Sequence, residues 1–209
     1  MPRLRLAALT LAPVLAAAPA FGQAPESRYT ELVGGRCKFV SIDTETNEDQ
    51  VKRCPGHGGA EVETLTSHTR LFISYRFSAR QRAENVVAAW SAGKTVEWRG
   101  IKGKKGFEPY AAIVRLLMKD HENGRPGPVA DAQVLAVTRV DPREAEACVI
   151  AYVDAQANRD PNRLARDAAD RLGPAFDCQS DKPAVGRRHD ALDGRADRGR
   201  EALEHDPEK

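Results

Sequence analysis

The sequence predicts an α+β domain in which several short antiparallel strands form a sheet and one C-terminal helix packs on it. Three observations favour this class. Short apolar runs alternate with turn residues, one segment near the C-terminus has helical periodicity with clear end signals, and four cysteines are spaced so that two disulfides can close compact units. We expect a single domain over residues 25–178, which is long enough to bury a substantial core.

The clearest element is a helix between Cys148 and Cys178. Asp160 is typical of an N-cap residue, Pro161 of the first helical position and Gly173 of a helix end. The apolar residues that recur at helical spacing are Leu164, Ala165, Ala168 and Leu172. These signals predict a helix that begins at Pro161, ends before Gly173 and packs on the sheet.

The N-terminal half of the domain predicts short strands after a polar lead-in at residues 25–35. Alternating or apolar runs indicate strands at residues 37–42, 51–54, 61–66 and 71–77. A turn rich in proline and glycine at residues 55–59 follows the second of these. The first two strands are predicted to form a hairpin.

A second helix is predicted after the fourth strand. Ser78 and Gln81 have the spacing of a capping box. The apolar residues that recur at helical spacing before Gly93 are Ala83, Val86, Val87 and Trp90.

The rest of the domain predicts two pairs of strands. Residues 95–99 and 110–119 read as a hairpin joined by a glycine-rich loop at 100–107, although 110–119 also fits a helical period. Its β neighbours favour a strand. Residues 120–131 predict a long exposed loop, and 133–140 and 147–153 predict adjacent, strongly apolar strands.

Residues 1–24 have the pattern of a secretory signal peptide. Arg3 and Arg5 precede an apolar segment, and small residues suit cleavage after Ala20 or Ala24. The apolar segment is shorter than the roughly 20 residues of a membrane-spanning helix, although an uncleaved anchor is the alternative. We expect a periplasmic protein that does not span the membrane once it is processed.

Charge and cysteine content bound the partners and the compartment. Residues 1–24 contain two of the 32 basic residues and none of the 30 acidic ones, so 30 of each remain. A neutral domain lacks the basic surplus that predicts a nucleic-acid partner, and we expect none. Of the three pairings that four cysteines allow, we favour Cys37 with Cys54 and Cys148 with Cys178.

Residues 179–209 predict a charged, disordered tail. The segment has few large apolar residues, and it contains many residues of both charges. Such a composition buries too little apolar surface to offset the conformational entropy that ordering would remove.

One loop is the main candidate for a binding site. It has a local excess of positive charge with aromatic residues at its ends, and its members are Trp98, Arg99, Lys102, Lys104, Lys105 and Phe107. A flexible cationic loop with aromatic rings could bind an anionic envelope polymer by neutralising charge and stacking. The alternative is a solvated hairpin tip.

No catalytic fingerprint occurs in the sequence: there is no nucleophile elbow, zinc-protease motif, P-loop or dinucleotide motif. A site assembled from His57, His68 or His121 with a carboxylate would give the alternative, a small periplasmic enzyme. Asp154, at the end of an apolar strand, is predicted to anchor the following turn by bonding backbone amides.

Two clusters resemble metal sites but lack essential ligands. Cys54 is followed by His57 without a second pair at similar spacing, so a disulfide cysteine followed by a turn is the better account. The acidic residues at 43–49 lack the glycine and the closing glutamate of a calcium loop, which favours a solvated loop. We predict no cofactor and no metal.

Four strings of residues resemble a family of small exported bacterial proteins of unknown function. They are Arg53–Gly56, Val96–Trp98, Ala151–Asn158 and Arg163–Asp170, and the resemblance covers about Tyr29 to Cys178. It implies a periplasmic location and paired cysteines, and it implies no activity. The sequence therefore predicts a non-catalytic module that binds a protein or an anionic polymer of the envelope, with the small enzyme as the alternative.

Overall fold

The computed structural model describes residues 23–42, 49–68, 70–78, 86–118 and 132–186. In chain order the elements are β1 (Glu26–Glu31), β2 (Lys38–Ile42), β3 (Gln50–Pro55), β4 (Glu61–Ser67), β5 (Arg70–Arg76), β6 (Val87–Ala89), β7 (Ser91–Gly103), β8 (Gly106–Met118), β9 (Ala132–Asp141), β10 (Glu146–Asp154), α1 (Pro161–Leu172) and β11 (Ala184–Val185). Four predicted features lie outside the described residues: the signal peptide up to residue 22, the acidic loop at 43–48, the loop at 120–131 and the tail from 187 onwards.

Two sheets, rather than the single predicted sheet, form the body of the described protein. A six-stranded sheet has the order β1-β7-β8-β9-β10-β11, and a five-stranded sheet has the order β2-β3-β4-β5-β6. All neighbours pair antiparallel except β11, which pairs parallel to β10. The prediction of the α+β class is confirmed in part, because sheet dominates and one helix packs on it.

The central strands β8, β9 and β10 of the six-stranded sheet are buried on both faces, and β8 shows how its sequence produces this. Val114 and Leu116 point into the core between the two sheets, whereas Ala111 and Ile113 point into the core under the helix. A strand that is buried on both sides needs a nearly continuous apolar run, which β8 has. The inner face of the five-stranded sheet completes the first core with Val62, Ile73 and Tyr75.

The C-terminal helix α1 begins and ends where the sequence predicts. The Asp160 side chain accepts a hydrogen bond from the backbone N–H of Arg163, and Pro161 is the first helical residue. The helix buries small residues against the sheet, namely Ala165, Ala168 and Ala169. Small side chains let the helix axis approach the sheet closely, while Leu164 and Leu172 fill the edges of the contact.

Both predicted disulfides are confirmed. Cys37 is bonded to Cys54, which links the segment before β2 to β3. Cys148 is bonded to Cys178, which links β10 to the chain that follows α1. Cys54 is 1% exposed and Cys37 packs against the same core, so the first bond lies at the core between the sheets.

The helix predicted after residue 78 is wrong where the structure describes the chain. Residues 79–85 lie outside the described part, but β6 and then β7 occupy the region where the helix would continue. Val87 and Ala89 face the core from β6, and Ala88 between them is exposed. The position of Val87 fits a strand pattern as well as a helical one. The segment forms a strand because it pairs with β5 at the edge of the five-stranded sheet.

Two further strands lie where none is predicted. β1 falls within the expected polar lead-in, and β11 falls within the expected tail. β11 is short: Ala184 and Val185 pair with Ala151 and Tyr152, and the Gly186 N–H donates to the Tyr152 carbonyl at 2.9 Å. Among the described residues, no helix has the length and apolar character needed to cross a membrane.

Candidate functional site

The hairpin of β7 and β8 extends beyond its neighbours and ends in a lysine-rich turn. β1 pairs with β7 only as far as Gly100, and β9 pairs with β8 only as far as Ala111. Beyond these positions the two strands pair only with each other, over about 10 Å. The predicted loop at 100–107 is therefore wrong, since the turn is Lys104-Lys105 alone. The exposed side chains Lys102, Lys104 and Lys105 are named the lysine tip.

Charge at the lysine tip is predominantly positive. In the described structure none of the three lysines forms an ion pair. The nearest carboxylate along the hairpin, Glu108, lies 3.5 Å from the exposed guanidinium of Arg143. The tip therefore presents three exposed cations that form no ion pair in the described structure, although the Glu108 carboxylate lies against Gly103 between them. Exposed cations of this kind attract anions.

The two predicted aromatic contacts, Trp98 and Phe107, are not available for stacking. Trp98 has no exposed surface, and Phe107 is 7% exposed. The Trp98 indole donates a hydrogen bond to Thr30 Oγ1 at 3.0 Å and packs edge-to-face against Tyr75. Alternation along β7 points Trp98 into the core, so the rings support the hairpin from beneath instead of contacting a ligand.

Arg99 is also corrected, because it belongs to the contact between helix and sheet. It is 8% exposed, and its Nε and Nη2 donate to the two oxygens of Asp170 on α1 at 2.8 and 2.6 Å. Tyr110 donates to the same carboxylate at 2.6 Å. A two-point arginine–carboxylate pair of this kind is strong and directional. Arg99 is therefore a structural residue, and three of the six predicted binding residues remain exposed.

The network around Arg99 continues to β1. Arg99 Nη1 donates to Ser27 Oγ at 2.6 Å, and Ser27 donates to Glu97 at 2.6 Å. Burial alone would raise the pKa of Asp170, but hydrogen bonds from Arg99 and Tyr110 outweigh burial and lower the pKa. The same carboxylate, by hydrogen bonding to Arg99, raises the pKa of the guanidinium. The polar residues thus fasten β1 and α1 to the sheet.

Next to the hairpin, the turn at residues 55–59 holds His57 in a fixed orientation. His57 Nε2 lies 3.2 Å from the Tyr29 carbonyl, which can only accept, so Nε2 bears the proton of this hydrogen bond. The imidazole packs edge-on against Trp98 and Phe107, with ring centroids at 6.2 and 5.7 Å. The hydrogen bond to Tyr29 and the two ring contacts therefore hold the imidazole in one orientation.

Glycine is required at the start of this turn. A Cβ at Gly56 would lie 2.6 Å from Trp98 Cζ2 and 2.6 Å from the Ala60 carbonyl oxygen. The Gly56 N–H donates to that same carbonyl at 2.9 Å. The turn therefore packs directly against the Trp98 indole. This packing places His57 beside β1.

A small open cavity of about 80 Å³ lies between β1 and this turn. Its lining residues are Tyr29, Thr30, Glu31, Arg36, Pro55, Gly56 and His57. Tyr29 is 55% exposed, and Arg36 and Glu31 are charged residues of the lining. We name this the His57 cavity. Sequence reasoning missed all of its members except His57, because the cavity forms between segments that are distant in the chain.

The remaining candidates have ordinary structural roles. Asp154 Oδ1 accepts from the N–H groups of Gln156 and Ala157 at 2.8 and 2.9 Å, which confirms its prediction as a turn anchor. His68 occupies a turn with φ of 48°. His121 lies outside the described residues. In the described ranges no three His, Cys, Asp or Glu residues are grouped closely enough to hold a metal ion.

Comparisons with protein-family models, with curated proteins and with solved structures find no match for this chain. The fold and the site define the class: a sheet-dominated protein of two sheets with one helix and two disulfides. The resemblance to small exported bacterial proteins stays a prediction.

Proposed function

We propose that the protein is a non-catalytic, exported binding module that holds an anionic polymer of the bacterial envelope at the lysine tip. The observation on which this rests is the projecting hairpin end with three exposed, unpaired lysines. Two disulfides agree with an oxidising compartment, where they form and persist, and they support the periplasm as the location.

Close packing at the base of the hairpin supports this role. The buried rings of Trp98 and Phe107 lie under the strands, and a Cβ at Gly100 would lie 2.6 Å from Phe107 Cζ. Strand and ring are thus in tight contact close to the tip. A base that does not reorganise lowers the entropy cost of binding, so the lysines can contact a polymer from a fixed platform.

The alternative, a small enzyme, has one observation in its favour: both His57 and Glu31 line the His57 cavity. In the described structure no hydrogen bond joins them, and His57 Nε2 is engaged by the Tyr29 carbonyl. The cavity of about 80 Å³ is also smaller than the roughly 300–1,000 Å³ of small-molecule sites. These features favour binding over catalysis.

The test measures binding of dextran sulfate, a polyanion, to the native protein over a salt series. The variant carries Lys102→Ala, Lys104→Ala and Lys105→Ala together, and the matched control carries Lys38→Ala, Lys94→Ala and Lys182→Ala. Both variants lose the same charge, but only the first loses it at the tip.

We expect the tip variant to bind at least about tenfold more weakly at low salt, and the slope of log K against log salt to fall by about two, because fewer counterions are released. The control should keep the native slope. Equal weakening of both variants would show that net charge rather than the tip determines binding. Native protein that does not bind would refute the proposed function.

A further inference from the structure

One carboxylate, that of Glu108, lies against the backbone of the lysine tip. Glu108 pairs with Ile101 across the hairpin. Alternation along β7 therefore puts Glu108 and Gly103 on one face of the hairpin and Lys102 on the other. A Cβ at Gly103 would overlap the Glu108 carboxylate. Because glycine has no side chain, this anion can lie against the chain between Lys102 and Lys104.

A fourth cation reaches the same carboxylate from the neighbouring hairpin end. Arg143 lies in the turn between β9 and β10, and its Nη2 donates to Glu108 Oε2 at 3.5 Å. The side chains of Arg143 and Glu108 are 84% and 42% exposed. Ion pairs with such exposure contribute little to stability, because water screens them. The contact can therefore be exchanged for another one with little loss of stability.

Hydrogen bonds fix the backbone of this second turn, although the Arg143 side chain is exposed. Asp141 Oδ1 accepts from the N–H groups of Arg143 and Glu144 at 2.9 and 3.3 Å. Asp141 Oδ2 accepts from Arg139 at 2.8 Å. Glu144 is the other acidic residue of the turn, and it is exposed. The backbone of Arg143 is thus held beside the lysine tip, while the guanidinium can turn from Glu108 to a ligand.

We propose, on the basis of the function proposed above, that Glu108 is an internal competitor of the polymer, and that an anionic group of the bound polymer displaces Glu108 from Arg143. Arg143 then binds that group while the lysine tip binds the groups next to it. The guanidinium presents a fork of N–H donors that fits two oxygens of a sulfate, phosphate or carboxylate. The exchange therefore replaces one charge-assisted contact by another of the same kind.

Displacement of a tethered carboxylate favours a polymer over a free anion. Glu108 competes at a high effective concentration, because the chain holds it beside Arg143. A single anion from solution has no such advantage. A polymer that is already held by the lysine tip delivers its next anionic group to Arg143 as a local step, with an effective concentration of its own. Glu108 thus makes the site respond to chains of anionic groups rather than to single ones.

A double-mutant cycle on dextran sulfate binding tests this exchange. The variants of the full chain are Glu108→Gln, Arg143→Ala and both together, and glutamine keeps the size of the side chain without its charge. The matched control is the cycle of Asp167→Asn and Arg163→Ala, an exposed pair on α1. This helix begins beside Arg115 of β8, away from the tip. The salt concentration is about 0.1 M, at which charges more than about 10 Å apart are largely screened.

The cycle has a distinct expected pattern. Glu108→Gln should bind about two- to fivefold more tightly than the native protein, the effect of one exposed charge pair. Arg143→Ala should weaken the binding of the Glu108→Gln protein about two- to fivefold. It should weaken binding less when Glu108 is present, because loss of the ion pair offsets the new contact. The control variants should keep the affinity of the native protein.

The outcomes separate this inference from the proposed function. Equal effects of Arg143→Ala with and without Glu108 would show that the carboxylate is not displaced. No effect in the Glu108→Gln protein would show that Arg143 does not bind the polymer. Either result refutes the inference, and the proposed function stands if the tip variant still binds weakly. If the tip variant binds as tightly as the native protein, or the native protein does not bind dextran sulfate, the proposed function fails and this inference with it.

Discussion

Replacing Asp170 with asparagine should destabilise the protein more than replacing an exposed acidic residue of α1, because Asp170 lies in the contact between helix and sheet. The carboxylate accepts two hydrogen bonds from Arg99 and one from Tyr110. Asparagine keeps one acceptor oxygen and presents an NH₂ group where Arg99 needs a second acceptor. The Arg99 side chain, which is 10% exposed, then remains in the interface and keeps its full hydrogen bond only to Ser27.

The size of the effect follows from the exposure of the pair. Removing one partner of a fully buried ion pair costs about 3–5 kcal/mol, but the Asp170 side chain is 27% exposed and water screens part of the interaction. We therefore expect the free energy of unfolding to fall by about 2–3 kcal/mol. For a chain of this length that corresponds to a decrease in Tm of roughly 5–10 °C.

Urea denaturation followed by far-UV circular dichroism measures the change. The matched control is Asp167→Asn on the same helix, which breaks an exposed pair with Arg163 at 3.1 Å and should cost no more than about 0.5 kcal/mol. A loss below about 1 kcal/mol for Asp170→Asn, or equal losses for both variants, would refute the view that this network fastens α1 to the sheet.

Three further predictions concern the same framework. Folding lowers the pKa of Asp170, so the Asp170 carboxylate stabilises the protein fully above about pH 5 and loses this effect as the pH falls through the lowered pKa. The urea midpoints of the native protein and Asp170→Asn should therefore converge in acid. A difference that stays constant with pH would contradict this. Gly56→Ala places a Cβ 2.6 Å from Trp98 and should lower the free energy of unfolding by about 1–3 kcal/mol. The control Gly35→Ala has open space around it and should change that free energy by no more than about 0.5 kcal/mol in the same urea titration. Replacing Cys148 and Cys178 together with alanine opens a loop of sequence separation 30 and should lower the urea midpoint by the equivalent of about 3–4 kcal/mol; an unchanged midpoint would show that the bond does not constrain the unfolded chain.

Elements with local signals were predicted correctly from the sequence. The ends of α1 are marked by residues close to each end, namely Asp160, Pro161 and Gly173. The strands predicted at 133–140 and 147–153 are marked by their strongly apolar sequences. The disulfides join the cysteines that the even count and the spacing along the chain favoured. Such signals depend on neighbouring residues alone, and in these elements distant contacts agree with them. After residue 78 they do not agree, because the pairing of β6 with β5 overrides the local helical signal.

Elements that depend on distant partners were missed. β1 is a polar segment without an apolar face, and it is a strand because Ser27 contacts Arg99 and Thr30 contacts Trp98 across about 70 residues of sequence. The division into two sheets has the same origin, since strand patterns specify which face is buried but not which strand lies beside which.

Of the candidate binding site, only the positive charge of the lysine tip could be predicted from the sequence. Consecutive lysines in a turn are visible in the sequence, and Lys102, Lys104 and Lys105 are exposed as a hairpin end requires. The roles of Trp98 and Arg99 depend on the direction in which each side chain leaves β7, and that direction depends on a register that is fixed by β1 and β8. The His57 cavity likewise exists only after β1 and the turn at 55–59 are brought together.

The placement of β1 and β11 at opposite edges of the six-stranded sheet determines how the molecule responds to a pulling force. Handles at Gln23 and Gly186 would be attached five strand spacings apart, or about 24 Å. At one handle, β1 would detach through six backbone pairs. At the other, the chain could retreat only until the bond between Cys148 and Cys178 is taut. Stretching should therefore unravel the molecule from its N-terminal side, and the loop enclosed by that bond should add no length to the extended chain until a reductant is supplied.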